Sequence, residues 1–350
     1  MKTIRDIDVK DKIILVRADF NVPIKNGEVI SDLRIRAELP TLEYLRDHGA
    51  KKIIIISHLG RPTSKDDDYS LRPVAEVLKN LTDNVDFIPE ISGPAVKSAV
   101  EQLPTGHILL LENLRFNSGE TENSSEFIHD IVKTTGAEIY VQDGFSVSHR
   151  AHASTVAIAN HLPIYAGLLL EHEISNLNSA IKNPARPLLA IIGGSKISDK
   201  EPLINEFLPI ADQIFVGGKI AADGFKSTNS KIHVANDFDE DSTGAKLDIG
   251  PMSTVALANL ITDAKTIIWN GLLGRAEDPA YSTASTIAAE MLGEKDNAVT
   301  IICGGDTTGF VEELMAAHEN LKYSLISTGG GATLEYLLGH ELPGLSIIAK

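Results

Sequence analysis

One run of residues already indicates the architecture of this 350-residue chain: Ile53-Ile54-Ile55-Ile56-Ser57-His58-Leu59-Gly60-Arg61-Pro62. Four consecutive isoleucines place apolar side chains on both faces of a strand, which is typical of a parallel strand covered by helices on both sides. Polar and turn-forming residues follow at once, so the strand ends in a loop. In open α/β sheets, ligands bind beyond the carboxyl ends of the strands. The run therefore predicts a buried strand that delivers His58 and Arg61 to a binding edge.

Similar apolar runs recur along the chain, separated by stretches of helical periodicity. They form two successive series, which for this length indicates two domains with separate cores. The predicted fold class is α/β, with two doubly wound, Rossmann-like parallel-sheet domains. The predicted strands are 13–20, 53–57, 85–88, 108–111 and 139–141 in the first series, and 188–192, 213–216, 266–269, 299–303 and 323–327 in the second.

A helical stretch between the two series marks the domain boundary. Pro163 precedes it and Pro184 follows it, as expected of a separate connecting helix. The predicted division is a first domain at 1–166, a hinge helix at 167–184, a second domain at 185–336 and a C-terminal tail at 337–350. Within the second domain, the acidic segment 237–241 is predicted to be a solvated loop.

Composition restricts the partners and the location. The formal net charge of -16 argues against nucleic acids and acidic membranes, because a broad negative field repels polyanions. The single cysteine, Cys303, is typical of a reducing compartment and leaves no intrachain disulfide. The first ten residues have no apolar core, and no apolar run approaches about 18 residues. We expect a soluble, cytoplasmic, monomeric protein with small-molecule partners.

Cationic and polar side chains follow four predicted strands of the first domain. Arginine suits phosphate and carboxylate because its planar guanidinium donates two parallel hydrogen bonds and stays charged. A single loop arginine is usually a solvated surface residue, but arginines after successive strands predict an anion pocket at one sheet edge. Because His149 and His152 lack nearby cysteines or clustered carboxylates, a metal site there is disfavoured. The pocket residues are Asp19, Asn21, His58, Arg61, Arg115 and Arg150.

Three glycine-rich loops follow strands of the second domain, at 193–200, 304–308 and 327–332. Glycine lets backbone amides approach a phosphate, and a helix N-terminus adds partial positive charge. Each loop alone is also compatible with an ordinary strand-to-helix turn, with Ser198 as N-cap in the first. None has the G-x-G-x-x-G spacing of a dinucleotide-binding dehydrogenase. Together they predict a polyphosphate site in which Asp306 binds Mg²⁺.

The motifs resemble those of the phosphoglycerate kinase family, in the same order and over essentially the whole chain. In the first domain they are VRADFNVP at 16–23, SDLRIRA at 31–37, SHLGRP at 57–62, ENLRF at 112–116 and HRAHAST at 149–155. In the second they are GGSKISDK at 193–200, LDIGP at 247–251, WNG at 269–271, GGDT at 304–307 and STGGGATLE at 327–335.

This resemblance implies a two-lobed glycolytic phosphotransferase that acts on a carboxyl group. Such an enzyme moves a phosphoryl group between 1,3-bisphosphoglycerate and ADP, giving 3-phosphoglycerate and MgATP. The first domain would bind the triose, the second the nucleotide, and the tail would return toward the first. The lobes would close to exclude water. The implied substrate-binding residues are Asp19, Asn21, Arg34, His58, Leu59, Gly60, Arg61, Arg115 and Arg150.

The resemblance also assigns roles around the nucleotide. ATP or ADP would be the cosubstrate, Glu277 would contact the ribose, and Asp306 would hold Mg²⁺. The implied nucleotide-binding residues are Gly194, Lys200, Gly217, Gly218, Glu277, Gly304, Gly305, Asp306 and Thr307, and the implied catalytic residues are Arg34, Lys196, Lys200, Gly329 and Gly330.

Departures from the family pattern gather around the adenosine half of the site. Lys219 stands where the family has the third glycine of a triplet, and 220–234 replaces most of the usual helix and strand. An adenine slot depends on apolar contacts and close backbone approach, so these changes are expected to widen or block it. Losing roughly 3 kcal/mol of adenine contacts weakens binding about a hundredfold without harming the chemistry. Further departures are Leu272, Arg275, Ala276, Ala284, Ser285 and Cys303.

The predicted function is therefore that of a phosphoglycerate kinase with an altered adenosine pocket. A non-catalytic paralogue that binds a phosphorylated acid is the main alternative, and it predicts triose binding without nucleotide binding. A nucleotide-dependent kinase for another carboxylate is the third hypothesis.

Overall fold

The computed structural model describes residues 1–318 and 320–348. The chain divides into two compact units. Unit 1 comprises Met1–His172 and the residues from Glu341 onward, and unit 2 comprises Glu173–His340. Each unit has its own six-stranded sheet and apolar core. Among the described residues, no helix combines the length and the hydropathy needed to cross a bilayer.

Unit 1 is organised by a parallel sheet. Its strands are β1 Ile13–Arg17, β2 Ile24–Lys25, β3 Glu28–Val29, β4 Lys52–Ile56, β5 Val85–Phe87, β6 Ile108–Leu110, β7 Ile139–Gln142 and β8 Ile164–Ala166. The sheet order is β5-β6-β4-β1-β7-β8, and β2 and β3 form a separate hairpin. The register places Val16 of β1 beside Ile55 of β4 and Val141 of β7. Loops that follow these three strands therefore emerge at one edge.

Helices accompany this sheet, and both faces of β4 are covered, since its four isoleucines are fully buried. The helices of unit 1 are α1 Leu33–Asp47, α2 Arg72–Leu81, α3 Pro94–Gln102, α4 Ser118–Thr121 and α5 Ser125–Thr135, and the chain continues through α6 Leu168–Lys182 into unit 2. Short 3-10 helices lie at Ile4–Asp6, Asp67–Tyr69, Leu114–Phe116, Phe145–Val147, Ala157–Asn160 and, in unit 2, Pro279–Tyr281.

Unit 2 contains a second parallel sheet. Its strands are β9 Leu188–Ile192, β10 Gln213–Val216, β11 Ile232–Val234, β12 Phe238–Glu240, β13 Lys246–Ile249, β14 Thr266–Asn270, β15 Val299–Cys303 and β16 Leu325–Ile326. The sheet order is β11-β10-β9-β14-β15-β16, with β12 and β13 as a separate antiparallel pair. This order reverses between β9 and β14, where doubly wound folds bind their ligands.

The remaining helices complete the two units. They are α7 Ile197–Phe207, α8 Gly218–Ala222, α9 Pro251–Asp263, α10 Thr283–Gly293, α11 Gly305–Ala317, α12 Gly331–Leu337 and, in unit 1, α13 Pro343–Ser346. Gly344 of α13 donates its amide proton to the Ser148 carbonyl at 2.8 Å. The last two residues of the predicted tail, 349 and 350, lie outside the described residues.

The predicted fold class is confirmed, but one local prediction was wrong. The segment 220–234 contains the end of the short helix α8 and the strand β11, which pairs in parallel with β10. The acidic segment 237–241, predicted as a solvated loop, contains β12. There Asp237 accepts the amide protons of Met252 and Ser253, each at 2.8 Å, and so caps α9.

Candidate active site

Five arginines of unit 1, which we call the arginine cluster, lie together, and four of them surround the buried His58. The five arginines are Arg17 at the end of β1, Arg34 in the first turn of α1, Arg61 after β4, Arg115 after β6 and Arg150 after β7. Burial lowers the pKa of His58 well below its usual range, and four of these arginines lower it further. The structure thus brings together the cationic residues that the sequence placed after separate strands.

Arg17 is fully buried and was missed as a site residue by sequence reasoning. Its Nε donates to Ser154 Oγ at 2.9 Å and its Nη1 to the Ala18 carbonyl at 2.6 Å. Glu120 Oε1 lies 3.9 Å from Arg17 Nη2 and accepts a hydrogen bond from Ser154 Oγ at 2.6 Å. A charged residue at the end of an apolar strand was the available signal.

The hydrogen bond between Arg17 and His58 defines the histidine tautomer. Arg17 Nη2 lies 3.1 Å from His58 Nδ1, and a guanidinium can only donate. Nδ1 therefore accepts and the proton of the neutral ring is on Nε2, an assignment made from the hydrogen-bond network. Because the pKa of His58 is depressed, the ring stays neutral near pH 7. His58 Nε2 is a fixed, uncharged donor.

Arg115 carries a donor that the protein leaves without a partner. Its Nη1 donates to the Gly60 carbonyl, whereas its Nη2 is buried and makes no hydrogen bond to any described residue. Burial, followed by the positive charges of Arg17 and Arg150, lowers the pKa of Arg115 to about 10. A buried, unsatisfied donor costs about 1–3 kcal/mol. This position therefore favours a ligand that supplies an acceptor oxygen.

Positive charge exceeds negative charge in the arginine cluster. In the part of the chain that the structure describes, the carboxylates that pair with the cluster are Asp19, which pairs with Arg34, and Glu120, which is near Arg17. Burial, followed by the positive charge of Arg61, lowers the pKa of Arg150. A ligand with several negative charges would offset this surplus.

The loop after β4 is held in place by two asparagines. Asn21 Oδ1 accepts the Gly60 amide proton at 2.8 Å. The Asn113 carboxamide accepts from the Leu59 amide at 3.2 Å and donates to the Leu59 carbonyl at 2.8 Å. The Leu59 side chain is buried as well. Leu59 therefore stabilises the loop through its packing and its backbone hydrogen bonds to Asn113. Gly60 has φ +61 and packs against the Tyr69 ring, so a side chain there has no space.

Unit 2 contains a cavity of about 680 Å³, within the range of roughly 300–1,000 Å³ that is usual for small-molecule sites. Gly217 and Gly329 lie beside residues of its wall. The predicted site residues that line the cavity are Gly194, Lys196, Lys200, Gly218, Glu277, Gly304, Gly305, Asp306, Thr307 and Gly330.

The glycines after β9 and β10 allow three loops to pack backbone against backbone. A Cβ on Gly218, which has φ +65, would lie 2.7 Å from the Leu272 carbonyl oxygen and 2.9 Å from Gly194 N. Gly194 donates its amide proton to the Leu272 carbonyl at 2.8 Å, and Gly217 to the Ile192 carbonyl at 2.9 Å. The amides of Gly194 and Gly217 are therefore engaged within the protein, and these glycines shape the cavity through close approach.

Two lysines lie at the first glycine-rich loop. Lys200 of α7 is half-buried, and its Nζ donates to Asn270 Oδ1. Burial lowers the pKa of Lys200. Lys196 is exposed at the N-cap of α7, so Ser198 is not the cap that an ordinary turn predicted. The loop therefore presents two cations to the cavity. Lys200 is hydrogen-bonded to Asn270, and Lys196 is exposed.

The glycine-rich loop before α12 is anchored by Glu173. Glu173 Oε1 accepts from the amide and the hydroxyl of Thr328, at 2.6 and 2.9 Å. Gly329 donates its amide proton to Ser327 Oγ at 3.2 Å, whereas Gly330, with φ +53, is the N-cap of α12. Gly330 is therefore the glycine of this pair that faces the cavity.

Asp306 is the residue suited to Mg²⁺. It is exposed in the first turn of α11 and lines the cavity beside Gly304 and Gly305. Across the described ranges, no group of three or more His, Cys, Asp or Glu side chains forms a metal cage. Mg²⁺ is usually held by one or two carboxylates together with substrate phosphates and water. A single carboxylate in this wall fits an ion that arrives with a polyphosphate.

The other end of the cavity combines apolar and cationic side chains. Lys246 Nζ lies 4.6 Å from the centre of the Phe238 ring. Lys219 Nζ lies 2.5 Å from Asp223 Oδ1, so its charge is paired along α8. The cavity persists with Lys219, Leu272 and Arg275 in its wall. Sequence reasoning missed Phe238 and Lys246, which precede the quoted LDIGP motif.

Asp248 within that motif was also missed as part of the wall. It is buried, and its carboxylate accepts the amide protons of Ile249 at 2.9 Å and Ala284 at 3.1 Å. Burial raises its pKa to about 6. Asp248 therefore holds α10 against β13 at the cavity.

Comparisons with known proteins agree with this architecture. The phosphoglycerate kinase family profile matches residues 4–241 and 221–340. The phosphoglycerate kinase of Pseudothermotoga lettingae is 38% identical over 396 residues, covering 99% of this chain and 98% of that protein. That of Lactiplantibacillus plantarum is 38% identical over 398 residues with the same coverage. Both alignments exceed 350 positions, so these relatives carry segments that the chain lacks.

Solved structures give the same result. Phosphoglycerate kinase from Pyrococcus horikoshii superposes with a TM-score of 0.87 at 27% identity, and that from Coxiella burnetii with 0.79 at 31%. Each comparison covers 99% of this chain and 98% of the other. The predicted family and the predicted enzyme class, a phosphotransferase with a carboxyl acceptor, are confirmed. The chain belongs to the phosphoglycerate kinase family.

Proposed function

We propose that the protein transfers a phosphoryl group reversibly between 1,3-bisphosphoglycerate and ADP, giving 3-phosphoglycerate and MgATP. The observation that carries this proposal is the arginine cluster with its surplus charge and the partnerless Nη2 of Arg115. A phosphorylated carboxylic acid supplies negative charge at two places and several acceptor oxygens. Unit 1 would bind this acid and unit 2 the nucleotide.

The residues of the two sites fit the demands of phosphoryl transfer. A carboxylate acceptor is already a nucleophile, so the reaction depends on positioning and charge stabilisation rather than on a strong base. In the proposal, Arg115 and the Nε2 proton of His58 bind acceptor oxygens, and Arg34 stabilises charge on the transferring group. Lys200 and the first turn of α11 bind the nucleotide phosphates. Mg²⁺, held by Asp306, would neutralise phosphate charge.

The finer part of the proposal is a weakened adenosine pocket. Lys219, Leu272 and Arg275 line the cavity where the family resemblance predicts glycine, proline and a small apolar residue. Adenine recognition depends on flat apolar contact, which these side chains supply less well. We expect weak ADP binding together with intact chemistry.

A coupled assay with 3-phosphoglycerate and MgATP tests the proposal, with GTP as a second donor. Turnover supports it. Binding of 3-phosphoglycerate with no turnover at millimolar donor, and no nucleotide-induced rise in melting temperature, would show a non-catalytic paralogue instead. Turnover with another carboxylic acid alone would identify a different carboxylate kinase. The cytoplasmic location and the monomeric state stay predictions, and light scattering after size-exclusion chromatography checks the latter.

A further inference from the structure

Cys303 and Asn270 form a buried polar contact at the edge of the unit 2 sheet. They are register partners at the ends of β15 and β14, and both are fully buried. Asn270 Nδ2 donates to Cys303 Sγ at 3.5 Å, and Cys303 Sγ donates to the Trp269 carbonyl at 3.4 Å. On its other side, Asn270 Oδ1 accepts from Lys200 Nζ. The Asn270 carboxamide therefore links the Cys303 thiol to Lys200 in the cavity wall.

The chemistry of these groups permits a single direction for the chain of hydrogen bonds. An ammonium group can only donate, so Lys200 must face Oδ1, and Nδ2 must then face an acceptor. The thiol of Cys303 donates its proton to Trp269 and leaves its sulfur lone pairs for Nδ2. Burial raises the pKa of Cys303 to about 11, so the thiol keeps that proton near pH 7.

There is little room for another partner at Nδ2. A Cβ on Gly304 would lie 2.9 Å from Asn270 Nδ2. The family resemblance places glycine at position 303, so the sulfur is a feature of this chain. A buried amide donor without a partner costs about 1–3 kcal/mol, and it would also let the carboxamide rotate.

We propose that Cys303 is a positioning residue that fixes the Asn270 carboxamide and, through it, the ammonium group of Lys200. The inference rests on the proposed function, because it assigns Cys303 a role in the placement of a phosphate-binding cation. Cys303 touches no substrate itself and acts through Asn270.

Two substitutions separate positioning from packing. Cys303→Ser keeps a donor and an acceptor, whereas Cys303→Ala removes both. We expect Cys303→Ala to lower kcat about tenfold, the effect of roughly one hydrogen bond, with an unchanged KM for 3-phosphoglycerate. Cys303→Ser should stay within about twofold of wild type. Val311→Ala, which shortens a fully buried side chain of the same core, is the packing control and should leave kcat unchanged.

A second readout does not require activity. In protein labelled with ¹³C at lysine Cε, the Lys200 resonance, assigned with Lys200→Arg, is titrated in each variant. Loss of a well-oriented acceptor disfavours the charged lysine, so Lys200 should titrate at lower pH in Cys303→Ala than in wild type, Cys303→Ser or Val311→Ala. If wild type lacks kinase activity, the proposed function fails, while this titration still tests the role of Cys303.

The proposal is overturned if Lys200 titrates at the same pH in Cys303→Ala and wild type. It is also overturned if Cys303→Ser and Val311→Ala shift the titration as much as Cys303→Ala does. Should Cys303→Ala not fold, Cys303→Gly carries the residue of the family pattern and replaces it, with the same expected shift.

Discussion

The arginine cluster of unit 1 and the cavity of unit 2 are built in opposite ways. The cluster is made of side-chain charge, with Arg17 fully buried and Arg115 largely buried among other cations. The cavity wall that surrounds the predicted phosphate end is made of backbone, brought together by Gly194, Gly218 and Gly271. One site depends on charge held out of water, and the other on the absence of side chains.

We propose that this difference accounts for most of the expected departures from the family pattern. Buried charges of one sign are stable only if their arrangement is nearly complete, because each unpaired charge costs several kcal/mol. The close contacts between the glycine-rich loops also leave no space for a side chain. The far end of the cavity, with Lys246 over Phe238 and Lys219 paired to Asp223, has neither constraint. We propose that side chains can change more freely at that end of the cavity.

The largest expected effect belongs to the charge side of the comparison. Arg34→Ala should lower kcat by about 10³-fold, because an arginine that stabilises a transferring phosphoryl group contributes about that much. The affinity for 3-phosphoglycerate should change much less. Arg36→Ala is the matched control, since Arg36 lies on the same helix but is exposed and pairs with Asp32. Equal losses in kcat and affinity would count against a transition-state role for Arg34.

The second prediction removes the buried counter-charge. Glu120→Gln should lower the free energy of unfolding by about 3 kcal/mol, because it leaves Arg17 among like charges. Since 3-phosphoglycerate would restore negative charge, it should raise the stability of the variant more than that of wild type. Chemical denaturation with and without the ligand measures both effects. The exposed Glu122→Gln is the control, and an equal response in the two variants would contradict the account.

The third prediction concerns a buried pair of carboxyl groups in unit 1. Burial, and then Asp143, raise the pKa of Glu38 well above its usual range, and the pKa of Asp143 is raised to about 6. The folded pair therefore holds a proton that unfolded carboxyl groups release near pH 4, so its contribution to stability is lost as pH rises through about 6 and above.

Glu38→Gln tests this sign. The stability difference between wild type and variant should fall as the pH rises from 6 to 8, because only the wild-type pair has to release its extra proton. His58 and His152, buried and neutral, change stability in the opposite sense, but they are present in both proteins and cancel in the difference. A difference that stays constant between the two pH values would show that the pair holds no proton in this range.

The smallest expected effect lies at the end of the cavity where we propose a weakened adenosine site. Ala276→Phe restores the aromatic residue of the family pattern and should tighten MgADP binding about fivefold, roughly 1 kcal/mol of aromatic contact. Lys219→Gly should change affinity by less than about threefold, because the lysine is exposed and paired with Asp223. Calorimetry measures both, with Ala280→Phe at an exposed position as control. A larger gain from Lys219→Gly would show that its side chain obstructs the slot.

Sequence patterns predicted the elements that local physics determines. The strands 188–192, 213–216 and 299–303 coincide with β9, β10 and β15, since continuous apolar runs have one stable position in a parallel sheet. The candidate residues after these strands line one cavity for the same topological reason.

Local sequence patterns could not predict which distant residues contact Arg17 or Asp237. Nothing near Arg17 in the sequence specifies that Ser154 and His58 will satisfy it, or that Glu120 will lie beside it. The predicted solvated loop that holds Asp237 also failed for this reason, because its helix-capping partners lie about fifteen residues away.

Hydroxylamine trapping tests the central claim most directly, because it converts an acyl phosphate into a stable hydroxamate. With 3-phosphoglycerate, MgATP and hydroxylamine, wild type and Arg36→Ala should form hydroxamate at equal rates, and Arg34→Ala should be slower by about 10³-fold. Hydroxamate formation by none of the three with either ATP or GTP, although 3-phosphoglycerate binds, would contradict the account.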